Sequence, residues 1–165
     1  SQGARYTRAF STAPVCSSSP TAFQTGQNQT TVGAHHHNTR DKKVLPESVP
    51  TETGLMQEAG YFVSNGRGIP EKKLAKSHFN FVYDAREFFD GTDWSQRAEG
   101  QPFFAQVQIK EPHRAFVKNA QRRPEAPIPP YYPEHPITRA DWSNYLASIE
   151  VLDQKVGAVL NRLDS

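Results

Sequence analysis

Pro102-Phe103-Phe104-Ala105-Gln106-Val107-Gln108-Ile109 carries the strongest strand signal in this chain. Proline opens the run, and the residues after it are rich in aromatic and β-branched side chains, which pack well on a pleated surface. The spacing predicts a strand from Phe103 to Ile109, placed centrally in a sheet. Upstream, residues 53 to 66 read as a helix leading into a second strand. Leu55, Met56 and Ala59 share a helical face, Gly60 ends the helix, and Tyr61-Phe62-Val63 favours extended backbone.

Downstream, Trp142, Tyr145, Leu146, Ile149, Leu152, Val156, Val159, Leu160 and Leu163 recur at steps of three and four, one apolar stripe on a long helix. Thr138 and Asp141 have capping-box spacing, which starts that helix near Thr138 and runs it to Leu163. A helix with so apolar a face requires a sheet to lie on. Residues 67 to 101 read as a charged excursion. Residues 124 to 136, with Pro124, Pro127, Pro129, Pro130, Pro133 and Pro136, read as neither helix nor central strand. This order of elements predicts an α/β layer arrangement with a mostly parallel sheet. Two clear strands are few for such a helix, and the chain is expected to be an incomplete piece of that architecture.

Composition narrows the function. The chain has 165 residues, 36% of them hydrophobic, with 13 prolines and a mean hydropathy of −0.71. That is long enough for one domain with a core, but polar and loop-rich. The net charge of +2 and the lack of a basic block argue against nucleic acid as partner. No apolar run reaches the roughly 18 residues of a membrane span. Ser1-Gln2-Gly3-Ala4-Arg5 lacks the charged start and apolar stretch of a signal peptide.

The single cysteine, Cys16, cannot form an internal disulfide, so it is a buried small hydrophobe or a reactive group. Ser17-Ser18-Ser19-Pro20 reads as a helix start. A thiol there faces the positive end of a helix dipole, which suits an anionic substrate. Spacing alone favours the plainer reading, a buried and inert cysteine. His35-His36-His37 reads as a polar loop, because adjacent histidines on extended chain point to opposite faces and rarely converge on one ion. His113, just after the Phe103 strand, is equally a surface histidine or a general acid or base at a strand's carboxyl end. Lys76-Ser77-His78 puts a cation and an imidazole on one face of an extended segment, a weak signal alone.

Ala13-Pro14-Val15-Cys16-Ser17, followed by Thr21-Ala22-Phe23 and Thr25-Gly26, resembles the signature of formylglycine-dependent sulfatases, a C-x-P-S-R motif running into a helix that ends in Thr-Gly. Gly33-Ala34-His35-His36-His37 is similar to the next segment in a bacterial branch related to sulfamidases. Ala59-Gly60-Tyr61-Phe62, Lys76-Ser77-His78, Pro102-Phe103-Phe104 through Pro112-His113-Arg114, Pro130-Tyr131-Tyr132-Pro133 and Leu152-Asp153-Gln154-Lys155-Val156-Gly157 extend the resemblance in order along the chain.

The resemblance implies an alkaline-phosphatase-like αβα sandwich, with residues 1 to 165 forming part of its catalytic domain. It implies that a formylglycine-generating enzyme oxidises Cys16 to formylglycine, whose hydrate attacks sulfur and then eliminates sulfate. Lys76 would bind the sulfate, His78 would act as base in elimination, and His113 would protonate the leaving group. A Ca²⁺ ion would neutralise the sulfate. Of its ligands only residue 16 falls in this chain, the family's Asp-Asp and Asp-Asn pairs being expected before and after it. Substrates would be sulfated carbohydrates, sulfamates or aryl sulfates, and the compartment periplasmic or extracellular.

Two positions depart from the signature. Ser18 stands where the family has Pro, and Pro20 stands where it has Arg, which removes a cation and five donors. The chain as written is therefore expected to lack turnover. The alternative to a hydrolase is a non-catalytic relative, a pseudoenzyme or a module that binds sulfated glycans.

Overall fold

The computed structural model describes residues 4–68, 70, 73–117 and 125–164. In chain order the elements are α1 (Ser18–Thr25), α2 (Glu52–Glu58), β1 (Phe62–Arg67), β2 (Lys73–Leu74), α3 (Ala85–Phe88), β3 (Phe103–Gln108) and α4 (Pro136–Leu163), with a short 3-10 turn at Trp94–Gln96 before β3. The strands form one small mixed sheet in the order β2-β1-β3. The chain divides into two compact units, Ser1–Gly66 with Glu71–Val107, and Arg67–Pro70 with Gln108–Ser165.

The Phe103 run forms a strand as expected, but it ends at Gln108 and lies at an end of the three-stranded sheet. The central strand is β1, where Val63 to Gly66 are buried in succession. Every residue of β3 is only half-buried. Strand propensity measures fit to a pleated, half-covered surface and does not separate centre from edge. β1 is central because its backbone is paired on both sides: Phe62 donates to Pro102 O at 2.9 Å, and Asn65 O accepts from Ala75 N at 3.0 Å.

The first unit's core comes from the stretch that reads as an excursion. Val63, Phe79, Phe81 and Phe89 form its buried centre, with Leu45, Met56, Tyr83, Phe88 and Phe104 packed around them. The Phe79 and Phe81 rings stack with centroids 5.4 Å apart. Each such ring stabilises the fold by about 2 kcal/mol through burial. From Ala75 to Tyr83 burial alternates: Ala75, Phe79 and Phe81 are buried and Tyr83 half-buried, while Lys76, His78 and Val82 are exposed. Asn80 breaks the polar-out half of that pattern, because it is 3% exposed. Trp94 is buried and stacks on Phe103 at 5.7 Å, fastening the 3-10 turn to β3. Gly91 is required before that turn, because a Cβ there would meet Gln96 Oε1 at 2.4 Å and Phe62 Cζ at 2.8 Å.

α2 ends where Gly60 adopts a φ of +86°, as the sequence predicts. Its buried residue is Thr53, however, while Leu55 is 51% exposed and Ala59 is exposed. Of the predicted face only Met56 joins the core. The helix is turned by Gln24 of α1, whose Oε1 accepts from the Thr53 hydroxyl at 3.2 Å.

In the second unit α4 begins two residues before Thr138. Its cap is His135, whose Nδ1 accepts from Ile137 N at 3.2 Å, and Pro136 occupies the first turn, where a missing N–H costs nothing. Asp141 is engaged by the guanidinium of Arg114 at 2.7 Å and 2.8 Å, so it does not serve a capping box. The deepest positions of α4 are Ser143, Ala147 and Ser148. The apolar stripe is half-buried from Trp142 to Leu152, and Val156, Leu160 and Leu163 are exposed. Ser148 is satisfied twice, donating to Asn144 O and accepting from Val117 N. Residues 125–135 are free of helix and strand, as their prolines require; Pro136, read with them from the sequence, instead opens α4, and Pro124 lies outside the described residues.

Candidate active site at Cys16

Cys16 is exposed, which sets aside the buried, inert reading. It precedes Ser17, the N-cap of α1. Pro20 falls in that helix's first turn, and Gly26 closes its end at a φ of 60°. The serine-proline run is therefore the helix start that the sequence predicts. The Ser17 hydroxyl does not cap the helix, because it accepts from Asn38 N at 3.0 Å and lies 3.2 Å from His37 Nδ1.

α1 is unusual in burying polar residues: Ser17, Ser18, Thr21, Gln24 and Thr25 are all hidden. Each of these hydroxyls is satisfied locally or by the loop above it. Thr21 and Thr25 donate to the carbonyls one turn back, at 2.8 Å and 2.9 Å. Ser18 donates to His36 O at 3.1 Å. The helix thus acts as a polar platform on which the histidine loop is laid.

Asn80 completes that platform. Its N–H donates to Thr21 Oγ1, its Oδ1 accepts from Thr39 N, and its Nδ2 donates to His36 O and to Thr39 Oγ1, each at 2.8 Å. Three segments meet at one buried amide: α1, the loop at residues 36 to 39, and the stretch carrying Lys76 and His78. Lys42 adds a tie, donating to Phe79 O at 2.7 Å.

The result is a cationic setting for the sulfur. Lys76 Nζ lies 3.7 Å from Cys16 Sγ, and His37 Nδ1 lies 4.0 Å from it. His37 Nε2 sits 3.3 Å from the Asn38 amide nitrogen and its Nδ1 3.2 Å from Ser17 Oγ, so the ring is held at both nitrogens. His78 belongs to the same cluster. Its imidazole titrates below its ordinary value, first because the ring is partly desolvated, then because of the charges of Lys76, Lys42 and His37. The shift favours the neutral imidazole, the form that can take a proton.

Cys16, Lys76 and His78 are thus gathered in the first unit. His113 belongs to the second, in the turn after β3, where its N–H donates to Lys110 O at 2.9 Å. Its Nδ1 faces the backbone carbonyl oxygen of Arg114 at 2.5 Å. Sequence reasoning missed His37 and Asn80. The triple histidine was legible as a run, but only the fold selects its third member, and nothing local marks Asn80.

Among the described residues, no three His, Cys, Asp or Glu side chains are gathered to hold a metal. Calcium takes six to eight oxygen ligands, whereas the side chains reaching Cys16 are an ammonium and an imidazole. This donor set fits an anion and does not by itself fit a calcium ion.

An exposed cysteine at a helix start thus has a lysine beside its sulfur and a histidine on the same segment as that lysine. The family profile described as Sulfatase matches residues 1–165, and the chain belongs to that family. It is similar to an ulvan-active sulfatase of Formosa agariphila, with 23% identity over 217 aligned residues that take in 99% of this chain and 35% of the relative. The chain therefore spans about a third of that relative's length. No solved structure matches it.

Proposed function

We propose that this chain is the nucleophile-bearing part of an exported hydrolase of sulfated polysaccharide, of which ulvan is the candidate named by its relative. In this reading the sheet is part of a larger, mostly parallel, alkaline-phosphatase-like sandwich. A formylglycine-generating enzyme converts Cys16 to the aldehyde, and one hydroxyl of its hydrate attacks sulfur while the ester oxygen leaves. His113 protonates that oxygen. Lys76 holds a sulfate oxygen, and neutral His78 removes the second hydroxyl's proton so that the aldehyde reforms and sulfate departs. Calcium would draw its oxygen ligands from other parts of a protein of the relative's length.

The observation that carries the reading is the 3.7 Å approach of Lys76 to Cys16 from a separate segment. A cation at the nucleophile is what an anionic ester requires.

The departures at Ser18 and Pro20 bear on modification. Ser18 has a structural task here, holding His36 O. Pro20 leaves no guanidinium for the modifying enzyme to read. The experiment is co-expression of the chain and its Pro20→Arg variant with a formylglycine-generating enzyme, followed by mass measurement of the Cys16 peptide. We expect aldehyde in the variant and mostly thiol in the parent. Equal conversion in both would remove Pro20 as an obstacle. Thiol in both, with sulfated glycan still bound, would favour the binding-module reading.

A further inference from the structure

The second unit contains a pocket of about 520 Å³ between the turn after β3, the tyrosine pair and the start of α4. That is the size of a small-ligand site. Its wall is a continuous arc of rings. Tyr131 and Tyr132 lie with centroids 5.0 Å apart, Tyr132 and Trp142 at 6.0 Å, Trp142 and Tyr145 at 4.7 Å, and Tyr145 and Phe116 at 5.5 Å. The guanidinium of Arg114 closes the arc, 4.2 Å above the Phe116 ring. Arg114 is held in place by its two-pronged pair with Asp141.

Two features narrow the ligand. The rings offer flat apolar faces, and Tyr131 is 78% exposed, so its surface is available. The Arg114–Asp141 pair sets donors and acceptors side by side at the rim of those faces. A pyranose matches both features, having an apolar C–H face and a rim of hydroxyls that each donate and accept. A bare anion does not match, because Asp141 already meets the charge of Arg114. A wholly apolar ligand would strip water from the ion pair without replacing it.

We propose that this arc is a subsite for a pyranose ring of a saccharide. The hydrolase reading makes a sulfated saccharide the substrate. The proposal rests on that reading for its substrate class but not for its binding chemistry.

The test titrates the chain with sulfated ulvan oligosaccharides, the same oligosaccharides after chemical desulfation, and inorganic sulfate. Tryptophan emission reports binding, since Trp142 lines the pocket and Trp94 is buried against Phe103. Both oligosaccharides should change the emission, and sulfate alone should not. Tyr131→Ala and Arg114→Ala should each weaken both oligosaccharides by about three- to ten-fold. Tyr131→Phe, which keeps the ring, should retain binding, as should Cys16→Ala. Saturation by sulfate alone, absence of binding by either oligosaccharide, or unaltered affinity in both Tyr131→Ala and Arg114→Ala would overturn the subsite. Glycan binding with these losses, in a chain whose Cys16 never becomes aldehyde, would sustain the subsite and count against the hydrolase reading. Aldehyde formation with no glycan bound would sink the subsite alone.

Discussion

Lys76 Nζ lies 3.7 Å from Cys16 Sγ across a separation of 60 residues. Neither residue is placed by its neighbours in sequence. Cys16 is carried by the start of α1, and Lys76 by the alternating segment that Asn80 pins to α1.

The charge of Lys76 should steer anions to the thiol. Lys76→Met is expected to slow reaction of Cys16 with the anionic reagent 5,5′-dithiobis(2-nitrobenzoate) by about ten-fold at low salt. Reaction with neutral iodoacetamide should change much less, and the difference should shrink as salt screens the site. Stopped-flow rates for both reagents check this. Equal slowing of the two would show that Lys76 acts by shape rather than by charge.

His78 should titrate below the ordinary imidazole value of 6.5, because its site is partly desolvated and cationic. The folded state then holds this proton less well than the unfolded chain does. The contribution to stability is complete above pH 6.5 and is lost as pH falls through that value toward the lower folded one. An NMR titration of the ring checks the direction. Lys76→Met and Lys42→Met should each move the midpoint part of the way up, burial being the larger cause. A midpoint at or above 6.5 in the parent chain would contradict the geometry.

Asn80→Ala removes an amide that makes three side-chain hydrogen bonds in a buried setting. It should destabilise the first unit by about 3 kcal/mol, since the partners it leaves are poorly reached by water. Asn80→Asp should also fail, because a carboxylate cannot donate to His36 O. Urea unfolding followed by Trp94 emission in a Trp142→Phe background measures both. A loss below about 1 kcal/mol would mean that the histidine loop is held by other contacts.

Sequence made some of this legible and hid the rest for physical reasons. The long helix, the stop at Gly60 and the helix start at Ser17-Ser18-Ser19-Pro20 rest on local spacing and backbone preference, which sequence displays. The central place of β1 does not, since Ser64, Asn65 and Gly66 are polar or small and are buried only because strands lie on both sides. The core phenylalanines went unread because Lys76, His78, Asn80 and the charges from Asp84 to Glu87 are interleaved with them. In the site, Cys16, Lys76 and His78 were recognised by resemblance. His37 and Asn80 owe their roles to contacts 21 to 59 residues away, which no local pattern records.

Phe81→Ala should cost about 3 to 5 kcal/mol, because the ring is 2% exposed and stacked on Phe79. Phe81→Leu should cost distinctly less. Thermal melts of the two variants, read at Trp94, give the order. If the alanine variant melts with the parent, the ring cluster is not the centre of this unit's stability.

The alternation from Ala75 to Tyr83 writes two messages in one stretch. Phe79, Phe81 and Tyr83 belong to the ring cluster, while Lys76 reaches Cys16 and Asn80 anchors the stretch to α1. Because side chains on extended chain alternate between faces, the two messages share a reading frame. A single-residue insertion or deletion between 76 and 79 would bring Lys76 and the rings onto one face, so that one of them loses its place. Descendants of this sequence can change letters there one at a time, but they cannot change its length by one.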